Sequence, residues 1–207
     1  METELLISFT LASTALAVSP GPDNIFVLIQ SLTNGRLSGI AVVLGLMTGC
    51  LVHTTFVAFG VSALIKTDET LFFILKLIGA CYLFFLAFKV WRSSAHLEIK
   101  GKGIKKSYAG LFKQGFIMNV VNPKVSVFFL AFFPGFLFSE SLNPILQFYI
   151  LGFIFMLVTL IVFSGIALLS GTIAEFTKGH KRTGLFFKWL QITVFIGIGI
   201  IILLSEK

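Results

Sequence analysis

Asp23 and Lys124 are the residues best placed to do chemistry, because each stands inside apolar sequence. A charged side chain at bilayer depth is costly and ordinarily faces a pathway or a partner. Asp23 belongs to Ser19-Pro20-Gly21-Pro22-Asp23-Asn24. Its prolines remove two backbone donors and clash with the preceding turn, and Gly21 adds freedom, so a helix must open here. Opened amides and carbonyls survive at that depth only where protein or a watery cavity covers them. Lys124 belongs to Asn119-Val120-Val121-Asn122-Pro123-Lys124-Val125-Ser126, in which Asn119, Asn122 and Ser126 share one helical stripe. A mid-helix lysine costs roughly 2.5–3.5 kcal/mol to insert, which calls for a partner or a cavity. An acid and a base at two such breaks would suit a zwitterion, with Asp23 meeting an ammonium and Lys124 a carboxylate. Freed amides at the half-helix starts would assist the carboxylate. Asp23 is also the obvious proton carrier. Two plainer readings stand beside these: a kink without a ligand, and a lysine bonded to freed carbonyls.

His53 follows Gly45 and Gly49 in steps of four and shares their face. Gly45-x-x-x-Gly49 is a small-xxx-small packing motif, and His53 is a second candidate for proton coupling. The alternative for His53 is a hydrogen bond between helices, and Gln30 and Gln191 read the same way. Cys50 and Cys81 lie in apolar segments without CxxC spacing, so a disulfide framework, a thiol-redox site and a metal site are not expected. The three histidines, His53, His96 and His180, are scattered, which argues against a membrane-embedded enzyme. No cofactor is expected.

The elements that must position these residues follow from composition. Of 207 residues, 57% are hydrophobic and 12% charged, and mean hydropathy is +0.99. A soluble domain is about 45–50% apolar and about 25% charged, so the solvent here is lipid. Six apolar runs are long enough to cross a bilayer: Leu5–Leu32, Gly39–Ile65, Leu71–Trp91, Gly115–Phe138, Ile145–Ile173 and Leu185–Leu204. They are long and continuous, which favours helices over barrel strands. The N-terminal run follows Glu2 and Glu4 where a signal peptide would be basic, and reads as an uncleaved first helix. Net charge is +7. Loops one, three and five, with their flanks, carry one, seven and four of the 16 Lys and Arg, which places them in the cytoplasm and both termini outside. Topology explains that basicity, so nucleic acid is not an expected partner.

Placing Pro22 over Pro123 gives an offset of 101 residues, which also superimposes Asp23 on Lys124 and brings Gly39–Ile65 onto the fifth run. An odd number of helices per copy inverts the second copy. The expected fold is therefore all-α, six transmembrane helices as two inverted three-helix repeats, the first and fourth helices broken by proline. Residues 1–207 form one transporter domain, with repeats at 1–92 and 114–207 and a basic cytoplasmic linker at 93–113.

Two stretches carry a family resemblance. Pro20 to Gly49, PGPDNIFVLIQSLTNGRLSGIAVVLGLMTG, is similar to the proline-glycine-proline opening and glycine-spaced helix of the LysE/RhtB-type amino-acid exporters. Gly115 to Phe136, GFIMNVVNPKVSVFFLAFFPGF, is similar to their Asn-Pro-Lys segment. The resemblance implies efflux of amino acids or derivatives across a bacterial inner membrane, driven by the proton-motive force. The substrate site would then comprise Pro20, Gly21, Pro22, Asp23, Asn24, Asn119, Asn122, Pro123 and Lys124. Alternatives are export of another small solute or cation, as in the wider superfamily, and a non-transporting membrane scaffold. Self-association is left open.

Overall fold

The computed structural model describes residues 2–63, 69–93, 105–177 and 181–204. His96, His180 and most of the basic linker lie outside the described residues. All the regular structure described is helical. Helix α1, Glu2–Val18, meets α2, Pro22–Asn34, at 58°. Helix α3, Arg36–Phe56, runs on through a π turn at Val57–Val61. Then come α4, Glu69–Arg92, and α5, Tyr108–Val120. Helix α6, Pro123–Val127, continues as a π turn, Phe128–Phe132, and a 3-10 turn, Phe133–Phe136. Helix α5 and this last segment are bent by 49°. The chain closes with α7, Pro144–Leu168, α8, Ser170–Thr177, and α9, Lys181–Leu204.

Among the described residues, four helices are long and apolar enough to cross a membrane, and up to six spans result if each bent pair counts as one. Large apolar side chains such as Ile78, Phe85, Phe153 and Ile161 are exposed on α4 and α7, as a lipid-facing surface requires. The chain is a multi-pass membrane protein. Proline opens α2, α6 and α7 because its missing N–H falls where a helix has no partner to offer. The fifth apolar run, which extends to Ile173, divides into α7 and α8 at Leu169, whose backbone (φ −96°, ψ 14°) leaves helical geometry.

The tightest packing joins α3 to α5. A Cβ on Gly45 would strike the Phe112 carbonyl, and one on Gly115 would strike the Val42 carbonyl, so each glycine admits the other helix's backbone. Gly49, one turn on, makes room for the Asn119 side chain. Helix α7 packs on α1 and α3, and α9 on α4. Phenylalanines fill much of the core. Phe9 on α1 packs edge-on to Phe133 at 4.9 Å, Phe133 stacks on Phe129 at 4.1 Å, and Phe129 reaches Phe155 on α7 at 5.1 Å. These rings join α1, the segment after the second break and α7 in one cluster.

Gly45→Ala and Gly115→Ala should each lower the melting temperature of the purified protein, since overpacking costs about 1–3 kcal/mol. Gly165→Ala on α7, where nothing lies within 4 Å, should leave it unchanged or higher. Equal melting of all three variants would mean that the α3–α5 contact is looser than described.

Candidate functional site

Backbone groups opened at the two breaks must find partners, since water is scarce at this depth. The last carbonyls of α1 find side chains. Asn24 Nδ2 donates to the Ala17 carbonyl at 2.7 Å, from the first turn of α2. Lys124 Nζ donates to the Leu16 and Ser19 carbonyls at 3.1 and 3.0 Å, from the first turn of α6. Gln191 Nε2 on α9 donates to the Pro20 carbonyl at 2.7 Å. At the second break, Asn122 caps α6 by accepting from the Lys124 amide at 3.0 Å. His53 Nε2 lies 3.1 Å from the Asn119 carbonyl, which also accepts from the Asn122 amide.

The position of Lys124 follows from charge. A cation is disfavoured at the positive N-terminal end of its own helix and favoured at the C-terminal end of another. Its side chain therefore reaches from the start of α6 to the end of α1. There it also lies over the Phe195 ring of α9, 5.5 Å from the centroid. Gly21 lies beside this head group, and a Cβ there would meet Nζ at 3.6 Å, an ordinary contact.

Asp23 lies in the first turn of α2, where the helix dipole suits a carboxylate. Asn122 Nδ2 donates to Asp23 Oδ2 at 2.8 Å, which ties the two breaks together a second time. The other oxygen, Oδ1, is buried without a hydrogen-bond partner. Asp23 and Lys124 make no ion pair within 4.0 Å, yet both line one cavity of about 30 Å³. That is room for about two waters and not for an amino acid. Gly21, Asn24, Asn119 and Asn122 also line it, with Leu16, Ala17 and Val125. Helix α7 adds Phe155, Thr159 and Phe163, which share one face at four-residue spacing.

Of the residues singled out in the sequence, Gly21, Asp23, Asn24, Asn119, Asn122 and Lys124 thus come together around the cavity. Pro20 contributes its carbonyl to Gln191, and Pro22 and Pro123 start the second half-helices. His53 does not line the cavity; it packs on Phe129 at 5.3 Å and reaches Asn119 from behind. Thr159, Phe155 and Phe163 carried no signal, because isolated threonines and phenylalanines are ordinary in an apolar helix. Among the described residues there is no group of three His, Cys, Asp or Glu able to hold a metal ion.

Comparison with known proteins identifies relatives by sequence. The homoserine/homoserine lactone efflux protein of Salmonella typhimurium is 33% identical over 182 residues, 88% of each chain. Its counterpart in Salmonella typhi is 34% identical, again over 88% of each chain. A protein of Vibrio cholerae serotype O1, described as an uncharacterized membrane protein, is 26% identical over 86% of both. No solved structure matches the chain. A sequence model described as LysE type translocator matches residues 14–206, nearly the whole chain, and this protein therefore belongs to the LysE family of translocators.

Proposed function

We propose that the protein is a secondary active exporter of amino acids or amino-acid derivatives across a bacterial inner membrane, coupled to protons. The observation that carries this is the cavity where the two breaks meet, walled by a carboxylate with one open oxygen and by an ammonium. The Salmonella relatives are named for homoserine and its lactone, and both compounds carry an amino group. Asp23 would receive the substrate ammonium, and Lys124 would face its carboxylate end. Release of substrate and uptake of a proton would alternate at Asp23. Asn122 bonds that carboxylate, and Lys124, Asn24, Asn119 and Thr159 line the same cavity, with His53 as the second candidate for coupling.

The fold proposed for this task is two inverted three-helix repeats, each bent pair counting as one span. Support comes from the matching placement of Pro22 and Pro123 at the starts of their half-helices. The packing of α4, the third span of one repeat, against α9, the third of the other, supports it too. The basic loops would be cytoplasmic and both termini outside. In a background lacking Cys50 and Cys81, an impermeant thiol reagent on whole cells should label Ser141→Cys and spare Ser93→Cys. The opposite pattern would invert the topology.

Pro22→Ala and Pro123→Ala should lower transport more than stability, because restored helical hydrogen bonds close the site. Normal flux through a well-expressed double variant would remove the breaks from the mechanism.

Proteoliposomes that compare counterflow with flux driven by a pH gradient test the charged pair. Lys124→Ala removes the ammonium that braces the Leu16 and Ser19 carbonyls, charge-assisted bonds worth about 1.5–3 kcal/mol, and by loosening that wall of the cavity should weaken substrate affinity roughly ten- to a hundredfold. Asp23→Asn keeps a hydrogen-bonding side chain but cannot carry a proton. It should retain counterflow, at lower affinity, and lose its response to the gradient. An Asp23→Asn protein still fully driven by pH would move the proton site elsewhere, with His53 next.

A further inference from the structure

The polar groups around the cavity differ in whether they already have partners. Three donors there are engaged: Asn24 holds the Ala17 carbonyl, Asn122 holds Asp23 Oδ2, and Lys124 holds two carbonyls and a ring face. Three oxygens on lining residues are not: Asp23 Oδ1, Thr159 Oγ1 and Asn119 Oδ1 are buried and unpartnered. Asn119 Oδ1 lies against Gly49 of α3. The other two are Asp23 Oδ1 and Thr159 Oγ1, on residues only 5% and 2% exposed.

Thr159 is the more informative of the two. Buried threonines in helices commonly bond the carbonyl four residues back. Thr10, Thr14, Thr33, Thr48, Thr54 and Thr55 all do so here, at 2.7–2.8 Å. Thr159 lacks that bond, although the Phe155 carbonyl is available at the same spacing on α7. Thr159 forgoes its local acceptor, and it lines the same cavity as Asp23, whose carboxylate also has an open oxygen.

We propose that Thr159 Oγ1 and Asp23 Oδ1 form an ammonium pocket, and that the ammonium is the part of a substrate this protein requires while a free carboxylate is dispensable. A primary ammonium brings three donors and no acceptor, which matches open oxygens on α2 and α7, two helices that pack together around the cavity. A ligand without it leaves both oxygens buried and unpaired, and sites of that kind reject the analogue that lacks the group. Lys124 gives the opposite result. Its protons have partners before anything binds, so a carboxylate displaces a carbonyl rather than filling a gap, and its absence leaves nothing unpaired. The ligand class is therefore a small primary ammonium compound: amines, amino-acid amides and esters as well as free amino acids. The inference rests on the export reading for the identity of the cavity and adds Thr159 and the rank order of the two substrate ends.

The test is equilibrium binding to the purified full-length protein, read as thermal stabilisation, with three probe series: free L-amino acids, their carboxamides and their N-acetyl forms. Carboxamides should stabilise comparably to the free amino acids that bind, and N-acetyl forms should bind at least roughly a hundredfold more weakly. Thr159→Val keeps the shape and removes the hydroxyl. It should weaken binding of both active series about tenfold, one hydrogen bond to a charged group. The unliganded variant should melt at the same temperature or higher, because an unpartnered hydroxyl has gone. Thr159→Ser should restore binding. A merely structural threonine would give the reverse pair, lower melting and unchanged affinity, and would overturn the assignment. N-acetyl forms that bind as well as carboxamides would overturn this inference alone and leave the export reading standing. Failure of all three series to bind would overturn both. The wild-type panel needs no variant, so the proposal stays exposed even if Thr159→Val folds poorly.

Discussion

Proline-opened backbone inside a membrane has to be satisfied by the protein itself, and Lys124 meets the largest part of that demand. Its ammonium takes two carbonyls at the end of α1 while its own backbone starts α6. The same residue thus relieves a cation at the wrong end of one helix and two acceptors at the end of another. Asn122 and Asp23 tie the same two breaks again, and Asn24, Gln191 and His53 meet the Ala17, Pro20 and Asn119 carbonyls. The arrangement of α3 follows from this requirement. Asn119 and His53 can meet only if α3 and α5 approach to backbone contact, which Gly45, Gly49 and Gly115 allow.

Much of this was legible in the sequence because it rests on residue types with few alternatives. Proline and glycine in an apolar run announce an opened helix, and a carboxylate or ammonium beside them announces a partner. The apolar runs gave the helices, apart from the division at Leu169. The partner of Lys124 could not be read, because a backbone carbonyl has no sequence signature. The two readings left open for that lysine, carboxylate receptor and carbonyl brace, differ only in three-dimensional placement. Gln191 was legible as a donor between helices, but Pro20 as its acceptor was not. Thr159 was invisible for a further reason. What distinguishes it is a bond it does not make, and every other helical threonine described with a bond follows the local rule.

On the export reading, a cavity with room for about two waters is not the state that carries an amino acid, and the site would widen by breaking contacts that now close it. The phenylalanine cluster and the α3–α5 contact are poor candidates, since rings and backbones packed this closely yield only as blocks. The Lys124 brace is a better one. Its two bonds are charge-assisted and worth about 1.5–3 kcal/mol each, so releasing them costs a few kcal/mol. Two states of one protein that exchange under a ligand differ by the same order. Lys124 also lies where α1, α6 and α9 meet, through Leu16, Ser19 and Phe195, so its release frees three elements at once. A substrate bound at the open Asp23 and Thr159 oxygens would bring its second end toward this brace. Binding at one wall then bears on the contact that holds the other walls shut, which is how a small ligand can shift a bundle of packed helices without prising apart its core.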